Sequence, residues 1–237
     1  MNLVLKLLSD TTFGRGDGVA GLVDEEIEYD SMTGLPIIRG RTLKGLLVEE
    51  CANILYALQY QSNNANFQKI RDAAKWLFGE GGSTLNEGAH MRIGRGELPT
   101  DLRQYVLSLL ENASEKKSSA EPSQESSGEY TVTQILDSLT TIRRQTAVNE
   151  VTGTPEDGSL RASRVALRDL TFRAVLDFDQ EPNQIHLALL AACASAVRRV
   201  GSGRNRGRGR VETRIEGTNR NFDELLKAFE KLAGGVA

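Results

Sequence analysis

The segment RRVGSGRNRGRGRVETR, residues 198–214, holds seven arginines and four glycines against one glutamate. Glycine at this density cannot sit in a helix interior, where each one costs about 1 kcal/mol relative to alanine. On its N-terminal side Ile185, Leu189, Cys193, Ala196, Val197 and Val200 recur at helical spacing, which predicts a helix over 184–200. On its C-terminal side RVETRIEG alternates like a strand. The segment is therefore a loop anchored at both ends, unlike a free arginine–glycine tail. Glycine lets a backbone approach a phosphate and aim its amides, and arginine offers forked donors that match phosphate oxygens. Gly201, Ser202, Gly203, Arg204, Asn205, Arg206, Arg208 and Arg210 are the resulting candidate contacts for a polyanion. The whole chain of 237 residues carries a net charge of −3, so the basic stripe sits on an acidic body and reads as a local anion site. A plain solvated turn is disfavoured by the self-repulsion of so dense a cluster. Nucleotide fingerprints fail: GxGxxG is off by one residue and follows a helix, and GxxxxGK[ST] is absent. Aromatic residues make up only 5% of the chain, so a nucleic acid here is gripped by its backbone more than by stacked bases.

Working outward, NLVLKLLSD (2–10) places Leu3, Leu5 and Leu7 on one face of an opening strand, and TTFGRGDGVAG follows as a glycine-rich loop. Apolar spacing predicts helices over 43–58 and 67–78, the second ending at Gly79. Residues 112–128 are polar and serine-rich and read as a disordered surface insertion. Segments 140–148 and 163–178 read as strands flanking the turn-rich NEVTGTPEDGSLR. A last helix over 222–232 has Asn221 as N-cap, Glu224 three residues later and Gly234 beyond its end. The order fits one α+β domain over 1–237, a ferredoxin-like or RRM-like βαββαβ palm with insertions. Cys51 and Cys193 lie in apolar helical patterns and read as buried free thiols. No apolar stretch reaches the ~18 residues of a membrane span and no signal peptide is visible, so a cytoplasmic protein without membrane contact is expected. His90 and His186 are the sole histidines, which speaks against a paired-histidine ribonuclease; His186 reads as a surface or partly buried helix residue.

Two stretches together, GDGVAGLVDEEIEYDSMTGLPIIRGRTLKGLL (16–47) and GSGRNRGRGRV (201–211), along with WLFGEGG (76–82), resemble the RAMP superfamily and, more narrowly, the backbone subunits of type III CRISPR effector complexes. LPIIRGRTLKG (35–45) matches that family's turn into its first helix, except that Arg41 replaces a usual small hydroxyl residue. Residues 143–165 are similar to its thumb insertion. The resemblance implies a palm, a thumb and a C-terminal Gly-rich loop, with guide RNA, target RNA and other subunits of a type III complex as partners. It also implies cleavage of guide-paired target RNA, dependent on Mg2+ or another divalent cation and on an aspartate matched here by Asp24. Asp24 is then both catalytic and metal-holding, Asp30 the second, non-catalytic acid, and Asp17 a weaker candidate. Some members lack the acid, so a non-catalytic RNA-binding scaffold remains open. A precursor guide-RNA processing endonuclease is a further alternative, which the scarcity of histidine counts against. Arg39, Arg41, Thr42 and Lys44 open the first helix, whose N-terminal amides favour anions, and are assigned to guide-RNA phosphates. Arg143, Arg144, Arg161 and Arg164 are assigned to RNA from the thumb.

Overall fold

The computed structural model describes residues 1–19, 21–60, 66–79, 88–119 and 130–234. Strand β1 (Asn2–Leu7) lies at the centre of a four-stranded antiparallel sheet. It pairs on one side with β5 (Thr171–Phe178), which carries β2 (Met91–Ile93) beyond it, and on the other with β6 (Val211–Glu216). The order is β2-β5-β1-β6, and successive side chains alternate between the two faces. Leu3 stands opposite Ala174 and Ile215, and Leu5 opposite Phe172 and Thr213, so one face of three strands is buried together. Lys6, Arg173, Val175, Glu212 and Arg214 point to the exposed face.

The buried face is covered by α1 (Gly40–Gln59), α2 (Phe67–Phe78), α5 (Gln184–Ala196) and α6 (Phe222–Leu232). Helix α5 contacts α1, α2, α6 and β6, which explains why it is apolar around its whole circumference. Its start is set by a reciprocal capping box between Asn183 and His186. It stops at Ala196, short of the expected Val200, because Val197 turns to extended backbone and leads into the arginine–glycine loop. Helix α2 matches the expected bounds and ends on Gly79 at φ 80°. The Asn221 cap of α6 is made by a bond from the Asp223 amide. Cys51 and Cys193 are buried free thiols; the neighbouring Cys51 thiol and burial push the Cys193 thiol well above its ordinary range.

Three departures from the sequence reading concern the middle of the chain. Helix α3 (Thr100–Ser119) runs into the expected serine-rich insertion, its Ala-, Glu- and Lys-containing stretch continuing the helix; residues 120–128 lie outside the described residues. Helix α4 (Val132–Leu139), closed by a Thr131–Gln134 capping box, precedes the hairpin. The expected strand 163–178 is two strands in two sheets. β4 (Arg161–Ala166) pairs with β3 (Thr140–Gln145) as a separate hairpin, and β5 joins the main sheet. The break passes through Asp169, the one non-glycine residue with positive φ (70°) among the described residues.

Candidate nucleic-acid interface

The arginine–glycine loop is closed on itself at its base and pinned near both ends to the segment that follows β1. Val200 N–H donates to the Gly209 carbonyl at 2.8 Å, and Val211 N–H to the Arg198 carbonyl at 3.1 Å, closing the base of the loop. Ser202 N–H reaches the Thr12 carbonyl at 3.0 Å and Gly209 N–H the Asp10 carbonyl at 3.1 Å. These close approaches require glycine. At Gly201 and Gly209, with φ of 74° and 70°, a Cβ atom would overlap the carbonyl oxygens of Thr12 and Val200 respectively. Between them a single 3-10 turn, Arg204–Arg206, carries the tip. The anchoring expected from the sequence matches this geometry, but Gly201 and Gly209, expected to admit a phosphate, make room for the chain's own carbonyls.

The arginines differ in what holds them. Arg204 makes a two-pronged ion pair with Glu49 of α1, both contacts at 3.1 Å, and its carbonyl accepts from the Arg199 guanidinium at 2.8 Å. That carboxylate raises the Arg204 pKa through its hydrogen bonds and charge. The side chains of Arg198, Arg206, Arg208 and Arg210 have no carboxylate partner among the described residues. They are the free cations of the loop, and Ser202, Gly203 and Asn205 lie exposed between them.

The Arg204–Glu49 pair also brings the loop onto the side of α1, whose first residues contain the next candidates. Arg41 and Thr42 are exposed and Lys44 is half-buried; Arg41 lies eight residues from Glu49, roughly 12 Å along the helix. No acidic residue occupies the first turn. Arg39, by contrast, is engaged at 2.5 Å with Glu28 and braces the entry to α1. On the hairpin, Arg143 is exposed and paired at 2.7 Å with Asp10, while Arg144 and Arg161 are exposed without carboxylate partners among the described residues.

Arg164 corrects the sequence reading. It is 5% exposed, and its guanidinium is taken up by partners within the chain. Its guanidinium binds Glu26 at 3.0 Å, Asp137 at 2.6 Å and the Thr140 hydroxyl at 3.0 Å. Burial lowers its pKa, but the hydrogen bonds and charges of Asp137 and Glu26 outweigh this, and the net shift is upward. Arg164 thus fastens the hairpin and α4 to the loop that bears Asp24.

Asp24 is exposed and sits where three pieces meet. Its N–H donates to the Ala162 carbonyl at 2.8 Å, and its Oδ2 accepts from the Ala162 amide at 2.6 Å, so it is clamped to β4. The next residue, Glu25, accepts a hydrogen bond from the Ser202 hydroxyl, which ties the same point to the arginine–glycine loop. Asp30 plays a different part. It is buried, accepts the Met32 amide at 2.9 Å and an ion pair from Arg103 at 3.0 Å, and so shapes the turn before LPIIRG. Asp17 is paired with Arg15 at 2.5 Å. No group of three His, Cys, Asp or Glu side chains able to hold a metal occurs among the described residues. Asp24 therefore suits only a cation that needs one protein carboxylate and keeps most of its own water, which is how Mg2+ is commonly held. Asp10, Glu25 and Glu49, which position this surface, carried no signal in the sequence, because each acts on a residue more than a hundred positions away.

The chain thus joins an antiparallel sheet and its helices to a glycine-pinned arginine loop beside a charged hairpin. The RAMP superfamily model matches residues 4–212, and the chain belongs to that superfamily. Among the solved structures that share its fold are two of type III-B Cmr-beta. The "Type III-B Cmr-beta" apo-state cryo-EM structure is 16% identical with a TM-score of 0.59, covering 90% of this chain and 95% of that one. The "Type III-B Cmr-beta bound to cognate target RNA" is 15% identical with a TM-score of 0.60, covering 95% of this chain and 98% of that one. No curated protein matches. Among the described residues, no helix is long and apolar enough to cross a membrane.

Proposed function

We propose that this chain is a guide-RNA-binding backbone subunit of a type III CRISPR effector complex, and that it cleaves guide-paired target RNA at Asp24. The four-stranded order, with the two central strands flanked by the second and last, supports reading the sheet as a ferredoxin-like palm. The β3–β4 hairpin, with its exposed 146–160 tip, is then the thumb, and 201–210 the Gly-rich loop. Membership of the superfamily and the likeness to the two complexes support the assignment. The observation that carries the catalytic part is the junction at Asp24, where one exposed carboxylate is clamped to the thumb strand while its neighbour Glu25 bonds the loop.

In this reading the loop arginines and the start of α1 hold the sugar–phosphate backbone, and sequence is read by base pairing with the guide. RNA carries its own nucleophile, the 2′-hydroxyl. The chain's work is to hold a strand so that this oxygen lies in line with the scissile phosphorus. Asp24 is placed to accept the hydroxyl proton or to hold a hydrated Mg2+ or another divalent cation, which when bound supplies positive charge at the phosphate. The fixed arginines stabilise the charge that develops on the phosphate oxygens.

One observation favours a second reading. Oδ2 of Asp24 is already bonded to the Ala162 amide, so the carboxylate also serves as a strut for the hairpin, as a non-catalytic scaffold would need. Asp24→Asn separates the two. Guide-RNA affinity is expected to stay within about twofold, while metal-dependent cleavage of a guide-paired RNA falls by about 10² or more, in the range for loss of a positioned acid–base group. Equal cleavage by both proteins, with divalent cation present, overturns the catalytic assignment.

A further inference from the structure

A cavity of about 660 Å³ opens between the arginine–glycine loop and the base of the hairpin. Three arginines from three separate segments line it: Arg143 of β3, Arg208 of the loop, and Arg168 of the turn that joins β4 to β5. Neither the composition of the loop nor the motif at 35–45 pointed to Arg168. It lies in LRDL, an apparently ordinary stretch that becomes a sharp turn only because Asp169 adopts positive φ.

Asp10 organises this cavity without filling it. One of its carboxylate oxygens accepts the Arg143 guanidinium at 2.7 Å and the other the Arg168 backbone amide at 3.2 Å. Its carbonyl accepts the Gly209 amide at 3.1 Å. A single half-buried acid thus fixes thumb base, turn and loop relative to one another, and its charge is balanced by Arg143. The guanidinium of Arg208 has no carboxylate partner among the described residues. That of Arg168 approaches only Asp169, at 3.8 Å, with both side chains 74% exposed, which is a weak solvated contact. One unpaired cation, one weakly paired and one braced line this cleft together with the carboxylates of Asp10 and Asp169, and the three guanidiniums form a site for a doubly coordinated anion.

We propose that this cleft is a phosphodiester-binding subsite for an RNA strand, with Arg168 as a specific backbone contact beside Arg208. The proposal rests on the RNA-binding reading above and adds a residue and a place to it. A strand seated there runs from the loop to the foot of the hairpin, so one phosphate contact depends on both pieces keeping their relative position.

The test is binding of fluorescently labelled single-stranded RNA to the full chain, measured as a function of salt. Arg168→Gln is expected to lower affinity about tenfold, the scale of one charge-assisted contact. It is also expected to reduce the slope of log K against log salt by ~0.7. Arg92→Gln, an exposed arginine of β2 outside the cleft, serves as control and is expected to leave both quantities unchanged. Because Arg168 is exposed and its amide, not its side chain, makes the Asp10 bond, the substitution leaves the turn intact. Wild-type affinity and slope in Arg168→Gln, alongside lost affinity in Arg206→Gln, overturn the subsite and leave the RNA-binding reading standing. RNA affinity indifferent to both substitutions overturns the reading itself.

Discussion

Behind the sheet, α5 packs against α1, α2 and α6 with Leu189, Leu190 and Ala191 fully buried and hardly a polar atom among them. At the opposite extreme, the junction of Asp24, hairpin and arginine–glycine loop is joined by carboxylates, guanidiniums and backbone amides. The first region gains stability from area removed from water and tolerates small shifts. The second gains position, since hydrogen bonds and ion pairs fix distance and direction but return little net energy. The chain thus separates what keeps it folded from what aims its charges.

The largest test of that contrast sets one residue from each region against the other. Phe172→Ala, in the sheet core, is expected to cost about 3–5 kcal/mol in urea unfolding. Arg164→Ala should cost a similar amount, about 3–5 kcal/mol, because it strands Glu26 as a buried charge. Replacing both partners, Arg164→Met with Glu26→Met, should recover much of that loss, whereas no second change nearby should rescue Phe172→Ala so simply. A double variant no more stable than Arg164→Ala alone would erase the distinction between the regions. A smaller effect is expected at Gly209. Gly209→Ala forces a side chain into positive φ against Val200 and should cost about 1–3 kcal/mol, together with a loss of RNA affinity that Gly153→Ala, at the open hairpin tip, does not share.

The smallest effect is one of pH, and it belongs to the apolar side. His186 stacks on Trp76 at 3.9 Å between ring centroids, with His90 on the same indole at 4.8 Å and itself 2.7 Å from Asp179. Burial, and then the charge of His90, hold the His186 pKa below its ordinary value. The neutral ring is also the one that accepts the Asn183 amide in the capping box, at 3.3 Å. The folded state therefore binds its proton less readily than the unfolded chain. Stability is complete above about pH 6.5 and declines as pH falls through that value. The urea midpoint should drop between about pH 7 and about pH 5, and His186→Gln should flatten the curve.

Much of the apolar side was legible because its signals are local. Leu3, Leu5 and Leu7, the three- and four-residue spacing in α1, α2 and α5, and the Asn221 cap each lie within one element. The loop was legible too, since its arginines and glycines are contiguous. What escaped was decided by distant partners. Arg164 looked like any strand arginine, and only Glu26, 138 residues earlier, reveals it as a buried tie. The break between β4 and β5 has no glycine or proline to announce it, and α3, α4 and β2 gave too short or too polar a pattern to be read. Asp24 was singled out through the resemblance alone; its bond from the Ala162 amide, 138 residues later, has no local signal.

Strand β1 has a consequence for how the molecule is made. It leaves the ribosome long before either of its neighbours, Thr171–Phe178 and Val211–Glu216. Until they arrive the nascent chain carries a hydrophobic ribbon with two open edges, a state prone to mispairing and to capture by chaperones. The sheet can close only when β6 arrives, so the arginine loop, completed in the same moment, comes into being together with the finished sheet.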